Sequence, residues 1–352
     1  MIEEFGLCWA TAMYQDGIGN AYGYMVHNNT LVKYTKQICP IGDEYEDAIH
    51  IIPAENFRPV PEKVNWLFTM FEGEEVPEFY LENMEKADFL LAPSTWVKKL
   101  FAKYFDEEKI FVVPHGVEPF FTYKKRKMPK GKFQFLWVGA PNPRKGFQEV
   151  IAAWKHAGFE TLRNARLYIK TTRHPGVKQM GNVIVNGSNI SRAALLNLYH
   201  RSHAFLFPTR GEGFGLTLAE AMRTGLPCIS PSYTGVADFF DEEVGYVIPH
   251  EIKKSRVRFI GRDDLGWWDT DISFPDPGVM AKWMSYVVVH YDEALEKGRK
   301  AHQRIRDEFT WERSAETLVS TLKTQWLKRR ESHDSDSLGN QVREAEEYDV
   351  RT

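Results

Sequence analysis

PTRGEGFGLTLAEAM, residues 208–222 of the 352-residue chain, joins a strand-type run to a helix-type run through three glycines. The apolar triplet Phe205-Leu206-Phe207 precedes it, Gly211, Gly213 and Gly215 loosen the loop, and Leu216, Leu218, Ala219, Ala221 and Met222 follow at helical spacing. A glycine-rich turn between strand and helix aims backbone N–H groups at the mouth of a sheet, where the helix N-terminus favours an anion. Two carboxylates bracket the turn, Glu212 and Glu220, with seven residues between them. Carboxylates accept hydrogen bonds from hydroxyls, and loop amides hold phosphates. The combination therefore suits a ligand that carries both a diphosphate and hydroxyl-rich sugars. Glycine-rich strand-to-helix turns are also common in α/β proteins, so the loop alone leaves a purely structural reading open.

The rest of the composition sets bounds. A length of 352 residues favours two domains, and 43% hydrophobic with 14% aromatic residues is enough for a substantial core. A net charge of −3 does not mark the whole chain as a nucleic-acid binder. Cys8, Cys39 and Cys228 are too scattered for a metal motif and too few for a disulfide framework. No basic stretch with an apolar core opens the chain, and no apolar run reaches the ~18 residues of a membrane span. The expectation is a cytoplasmic protein, soluble or at most peripheral to a membrane.

Short apolar runs alternate with amphipathic ones, the pattern of an α/β fold with parallel sheets. Strands are predicted at residues 5–10, 48–52, 66–70, 89–92 and 110–113, with helices near 77–86 and 96–105. A basic stretch follows, with Lys124, Lys125, Arg126, Lys127, Lys130 and Lys132. The alternation then restarts with strands at 133–138, 167–170, 183–185 and 203–207. Helices are predicted at 147–157, from Ser191 as N-cap to about 201, at 277–290, 293–309 and 310–328. The charged residues from about 330 predict disorder or a loosely attached helix.

Residues 208–222 resemble the E-x7-E signature of the retaining nucleotide-sugar glycosyltransferases of family 4. Both acids, Gly213-Phe214-Gly215 and Ala219-Glu220-Ala221-Met222 match. The resemblance continues through Pro114-His115-Gly116-Val117, Lys145-Gly146, the strand after Gly225, residues 232–240 and Phe309-Thr310-Trp311-Glu312. It is strongest from Ile110 to Trp326. It implies the GT-B fold, two Rossmann-like parallel-sheet domains facing across a cleft. Residues 1–117 would be the acceptor-side domain, 118–132 a basic linker and 133–309 the nucleotide-sugar-binding domain. Residues 310–329 would be a helix closing back on the first domain, with 330–352 a tail. The first domain is shorter than the family usually carries.

The resemblance also implies roles. The donor would be a nucleoside diphosphate sugar, with no further cofactor. Lys145 matches the family's phosphate lysine, and cations aimed at the leaving diphosphate accelerate transfer. The family usually has an arginine after Gly139, where this chain has Ala140; Arg144 is the candidate to supply that cation instead. Glu220 is assigned to the ribose hydroxyls, Glu212 to the transferred sugar. By analogy with retaining glycosidases Glu212 would be a covalent nucleophile; a front-face mechanism, in which the leaving phosphate helps deprotonate the acceptor, is the preferred implication. Gly139, Gly213, Phe214, Gly215 and Leu216 would shape the donor loop through their backbone. Gly187 and Ser188 would lie near the base. Gly17 and Gly19 would offer a second phosphate loop, and Glu72 is the candidate for acceptor binding or proton handling. His115 reads as structural, and His174 as either a donor contact or an exposed residue. Asp334-Ser335-Asp336 matches the letters of a metal motif but lies in the tail, and Asp269-Thr270-Asp271 lies in a late loop, so no catalytic metal is expected.

The acceptor expected from the family is a saccharide or lipid-linked saccharide. The basic linker leaves nucleic acid, including a hydroxymethylated DNA base, or an anionic membrane surface as alternatives. A phosphorylase with lysine-bound pyridoxal phosphate and a catalytically silent nucleotide-sugar-binding protein are the rival classes.

Overall fold

The computed structural model describes residues 4–11, 22–140, 142–172, 176–258 and 267–349, the last segment with side chains to residue 332. Five strands open the chain: β1 (Leu7–Trp9), β2 (Asp47–Ile51), β3 (Val64–Phe68), β4 (Phe89–Ala92) and β5 (Ile110–Val112). They lie in the order 1-2-3-4-5, each parallel to its neighbour. Alternate residues serve opposite faces. Trp66 and Phe68 join Leu31 of α1 (Tyr22–Thr35) on one side. Leu67 joins Tyr80 and Met84 of α2 (Glu78–Met84) and Val97 and Leu100 of α3 (Thr95–Phe101) on the other. A sheet buried on both faces is written in continuous apolar runs, which is why these strands were readable from sequence.

The second sheet is built from β6 (Phe133–Val138), β7 (Ala165–Lys170), β8 (Val177–Met180), β9 (Val183–Asn186), β10 (Ala204–Leu206), β11 (Cys228–Ser230) and β12 (Tyr246–Val247). Its order is 12-11-10-6-7-9-8, parallel except where β8 runs against β9. Phe135 and Trp137 face α4 (Phe147–His156) and α7 (Pro277–Val289). Leu136 and Phe205 face α5 (Arg192–Arg201), α6 (Leu216–Arg223) and α8 (Tyr291–Glu308). Ser191 caps α5, its hydroxyl accepting from the Ala194 amide at 3.2 Å. No described helix is long and apolar enough to cross a membrane.

Helix α9 (Trp311–Asp349) returns to the first sheet, where Trp311, Ala315, Leu318 and Leu322 share a cluster with Phe68. Arg329 donates to both oxygens of fully buried Asp47 at 2.8 Å, and Trp66 Nε1 donates at 2.7 Å. Burial still pushes the Asp47 carboxyl up, against the pull of Arg329 and Trp66. The helix continues to residue 349, where the composition had suggested disorder or a loosely attached helix.

Two features differ from the sequence reading. Asp269 and Asp271 are not in a loop; they belong to β14 (Trp267–Pro275), which pairs antiparallel with β13 (His250–Arg258). This ribbon exposes most of β13, so it lacks the unbroken apolar run that marks a doubly buried strand. It spans the two domains: the Glu74 amide donates to the Asp271 carbonyl at 3.0 Å, and Trp268 Nε1 to the Glu75 carbonyl at 3.3 Å. The basic linker is also partly structural. The Arg126 guanidinium donates to the carbonyls of Lys124, Tyr199, Ser202 and Thr224 at 2.7–3.2 Å. Its lysine neighbours are exposed.

Candidate active site

The glycine loop follows β10 and ends at α6, which begins after Gly215 at φ +106°. Its glycines make room for the first domain. A Cβ on Gly211 would lie 2.3 Å from the Glu72 carbonyl oxygen, and one on Gly213 would lie 2.7 Å from Met70 Sδ. The loop after β3 is held there by two tyrosines. The Tyr80 hydroxyl donates to the Met70 carbonyl at 3.0 Å, and the Met70 amide donates to the Tyr24 hydroxyl at 3.0 Å.

Four charged side chains converge at this contact. After β6 the chain turns at Asn142, whose Oδ1 accepts from the Arg144 amide at 2.9 Å. Lys145 Nζ donates to both Glu212 oxygens, at 2.6 and 2.7 Å, and the Thr209 hydroxyl donates to Oε1 at 2.9 Å. Arg144 lies 3.1 Å from Glu72 Oε1 and 3.5 Å from Glu212 Oε2, and also donates to the Gly211 carbonyl. The result is an alternating chain, Glu72–Arg144–Glu212–Lys145, two acids and two cations across the domain boundary. Arg144 thus brings a guanidinium to the loop whose position 140 is alanine.

Burial governs the protonation of these groups. It would push the Glu212 carboxyl up, but Lys145, Arg144 and the Thr209 hydroxyl outweigh it and hold Glu212 below the usual carboxylate range. The Lys145 ammonium is pulled down by burial, with Glu212 opposing. Burial also works against the Arg144 guanidinium, and Glu72 and Glu212 more than restore its hold on its proton.

The described residues that the resemblance assigns to the donor lie on other elements of the second domain. Glu220, partly buried on α6, accepts from the Tyr199 hydroxyl at 2.9 Å. Dehydration pushes its carboxyl up to about 7, against that hydrogen bond. Gly139 ends β6, its amide donating to the Lys170 carbonyl at 3.1 Å. Gly187 and Ser188 follow β9, where the Ser188 amide donates to Asn186 Oδ1 at 2.9 Å. Leu216 is the first residue of α6. The Phe214 side chain turns away into an aromatic cluster with Phe239 at 5.0 Å and His115 at 5.1 Å. His115 is buried there, its ring 4.0 Å from that of His27, and burial lowers its pKa to about 3. Gly17, Gly19 and His174 lie outside the described residues. Sequence reasoning missed Thr209, although it sits inside the motif, and Tyr199, Tyr24 and Tyr80, for which spacing holds no signal.

Among the described residues no group of three or more His, Cys, Asp or Glu side chains is placed to hold a metal ion. Asp269 instead pairs with Arg256 at 2.9 Å on the ribbon.

The sequence profile of a family described as Family 4 Glycosyltransferase in conflict systems matches residues 84–318. The serotype-specific mannosyltransferase WbdA of Escherichia coli is 36% identical over 108 residues, which is 27% of this chain and 13% of that protein. The chain thus spans only a small part of that relative. Among solved structures, sucrose-phosphate synthase from Thermosynechococcus elongatus superposes with a TM-score of 0.60 at 15% identity, over 88% of this chain and 80% of that one. Anabaena HepE, in complex with UDP and glucose, gives 0.57 at 13% identity, over 88% and 84%. At such identity these two likenesses show the fold alone, and it is GT-B.

Proposed function

The chain belongs to the family 4 glycosyltransferases in conflict systems, and from that premise we propose that it is a retaining, metal-independent enzyme. It moves a sugar from a nucleoside diphosphate sugar to a hydroxyl of a saccharide or lipid-linked saccharide. The observation that supports this most is the charge chain. Lys145 and Arg144 are the cations that neutralise charge growing on the leaving diphosphate, the task a metal performs elsewhere. Lys145 donates to both Glu212 oxygens, so the carboxylate and the leaving diphosphate share one cation. In front-face transfer Glu212 positions the sugar and the leaving phosphate accepts the acceptor's proton. Glu220 accepts from the ribose hydroxyls. Glu72 meets the acceptor from the first domain.

The saccharide reading takes support from the WbdA relative, named as a mannosyltransferase. The DNA-base alternative loses weight because Arg126, the one arginine of the linker, is spent on backbone carbonyls.

Proton NMR of the product tests the proposal. An α-linked donor must give an α-linked product, and turnover must survive EDTA. A β-linked product, or activity lost to chelation and restored by manganese or magnesium, defeats it.

A further inference from the structure

A cavity of about 500 Å³ lies between α4, the base of the β13–β14 ribbon and the start of α7. This is within the roughly 300–1,000 Å³ usual for ligand sites. Its walls include Gln148, Glu149 and Ala152 of α4, Lys253 of β13, Phe274 of β14 and Asp276, the N-cap of α7. None of these takes part in the charge chain around Glu212.

Glu149 marks the cavity as more than a crevice. It is 6% exposed. Its Oε1 accepts from Arg210 Nε and Nη2 at 2.9 and 2.5 Å. Its Oε2 is buried with no hydrogen-bond partner among the described residues. An unpaired buried acceptor is a standing cost; Oε2 has almost no accessible surface, so a ligand hydroxyl removes that cost by a turn of the carboxylate toward the cavity.

We propose that this cavity binds a saccharide unit, at a site separate from that of the donor diphosphate. Ligand hydroxyls donate to the Glu149 and Asp276 carboxylates, and the Gln148 amide both donates and accepts. Ala152 and Phe274 present apolar surface to the C–H face of a sugar ring. An anion is disfavoured by the carboxylates. A cation is disfavoured because Arg210 already neutralises Glu149 and stands 4.3 Å over the Phe274 ring. The cavity is also tied to the catalytic loop. The Arg210 amide donates to the Arg144 carbonyl at 2.7 Å, and the Ser273 amide to the Arg210 carbonyl at 3.0 Å. A saccharide held here would keep the rest of an acceptor beside Arg144. That purpose rests on the transfer reading, whereas the binding itself does not.

Saturation-transfer NMR on the full chain tests the binding, with maltose, α-1,2-mannobiose and N-acetylglucosamine as probes and UDP present to cover the donor site. At least one saccharide should bind, and Ala152→Trp should weaken it tenfold or more while leaving UDP binding and the melting temperature unchanged. Gln148→Trp, at an exposed wall position, should do the same, and serves if Ala152→Trp does not fold. No saccharide binding, or binding that both folded variants retain, overturns the proposal. So does saccharide binding lost with Lys145→Ala but kept with Ala152→Trp, because that places the sugar at the donor site. If none of UDP, GDP, ADP and dTDP binds while Ala152→Trp still abolishes saccharide binding, the transfer reading fails and the cavity assignment stands.

Discussion

Replacing Glu212 by glutamine should tighten binding of a free nucleoside diphosphate even as it abolishes sugar transfer. Lys145 gives two hydrogen bonds to the Glu212 carboxylate, at 2.6 and 2.7 Å. A diphosphate that recruits Lys145 must draw it away from that carboxylate. Hydrogen bonds to charged groups contribute about 1.5–3 kcal/mol. The amide oxygen of Glu212→Gln can still accept one bond from the ammonium, so the diphosphate displaces one charged bond fewer, about 1.5–3 kcal/mol. That corresponds to a dissociation constant roughly 10–150-fold lower. Arg144, at 3.5 Å from Glu212, adds little to this difference.

Isothermal titration with the nucleoside diphosphate, without its sugar, isolates the effect, since Glu212 is assigned to the sugar. A second reading comes from melting. The substitution strands the partly buried Lys145 ammonium, so the variant should melt lower and recover more than the wild type when the diphosphate is added. Binding that is unchanged or weaker in a folded variant would refute the reasoning. It would mean that Lys145 stays with residue 212 in the complex, and that the leaving group draws its charge stabilisation from elsewhere.

Arg144→Met should lower turnover by about 10²–10³, the usual loss for one donor aimed at developing charge; wild-type rates in single-turnover assays would show that Lys145 alone suffices. Donor affinity should rise between pH 6 and 8 and lose that dependence in Glu220→Gln, because the free carboxyl titrates at about 7 and only its ionised form accepts from both ribose hydroxyls. The stability term has the opposite sense: with the folded pKa raised, Glu220 contributes fully below the unfolded value and loses that contribution as pH rises through 7. A titration in which the variant keeps the pH profile removes Glu220 from the ribose. Arg329→Met leaves fully buried Asp47 without its cation and should cost about 3–5 kcal/mol, read by urea denaturation; a loss under 1 kcal/mol would mean that α9 does not anchor the first domain through this pair.

The strands and the loop motif were legible because the chemistry that builds them is local. A strand covered on both faces must be apolar along its whole length, as in residues 133–138, and a strand-to-helix turn must be small, as at Gly211, Gly213 and Gly215. The ribbon at 250–275 obeys neither rule, since its exposed strand is mostly charged and polar and its partner is held by contacts with Glu74 and Glu75, almost 200 positions away. Shorter separations in sequence likewise hide Tyr199 from Glu220 and Glu72 from Arg144. Lys145 could be picked out by resemblance, but its carboxylate partner emerges only when β6 and β10 lie side by side.

The glycines of the loop show why motif and mechanism are not interchangeable. Read from sequence, Gly211 and Gly213 let amides approach a phosphate. In the folded chain, a side chain at either position would collide with the first domain, at the Glu72 carbonyl and the Met70 side chain. The two demands are compatible only if the loop serves both domains at once. The contact that requires small residues also brings Glu72 within 3.1 Å of Arg144. Opening the cleft by a few ångströms would break that ion pair and leave Arg144 free for the diphosphate of the proposed donor. The site's charge balance is therefore tied to the separation of its two domains, and residues that pack across the boundary also govern how Arg144 is paired.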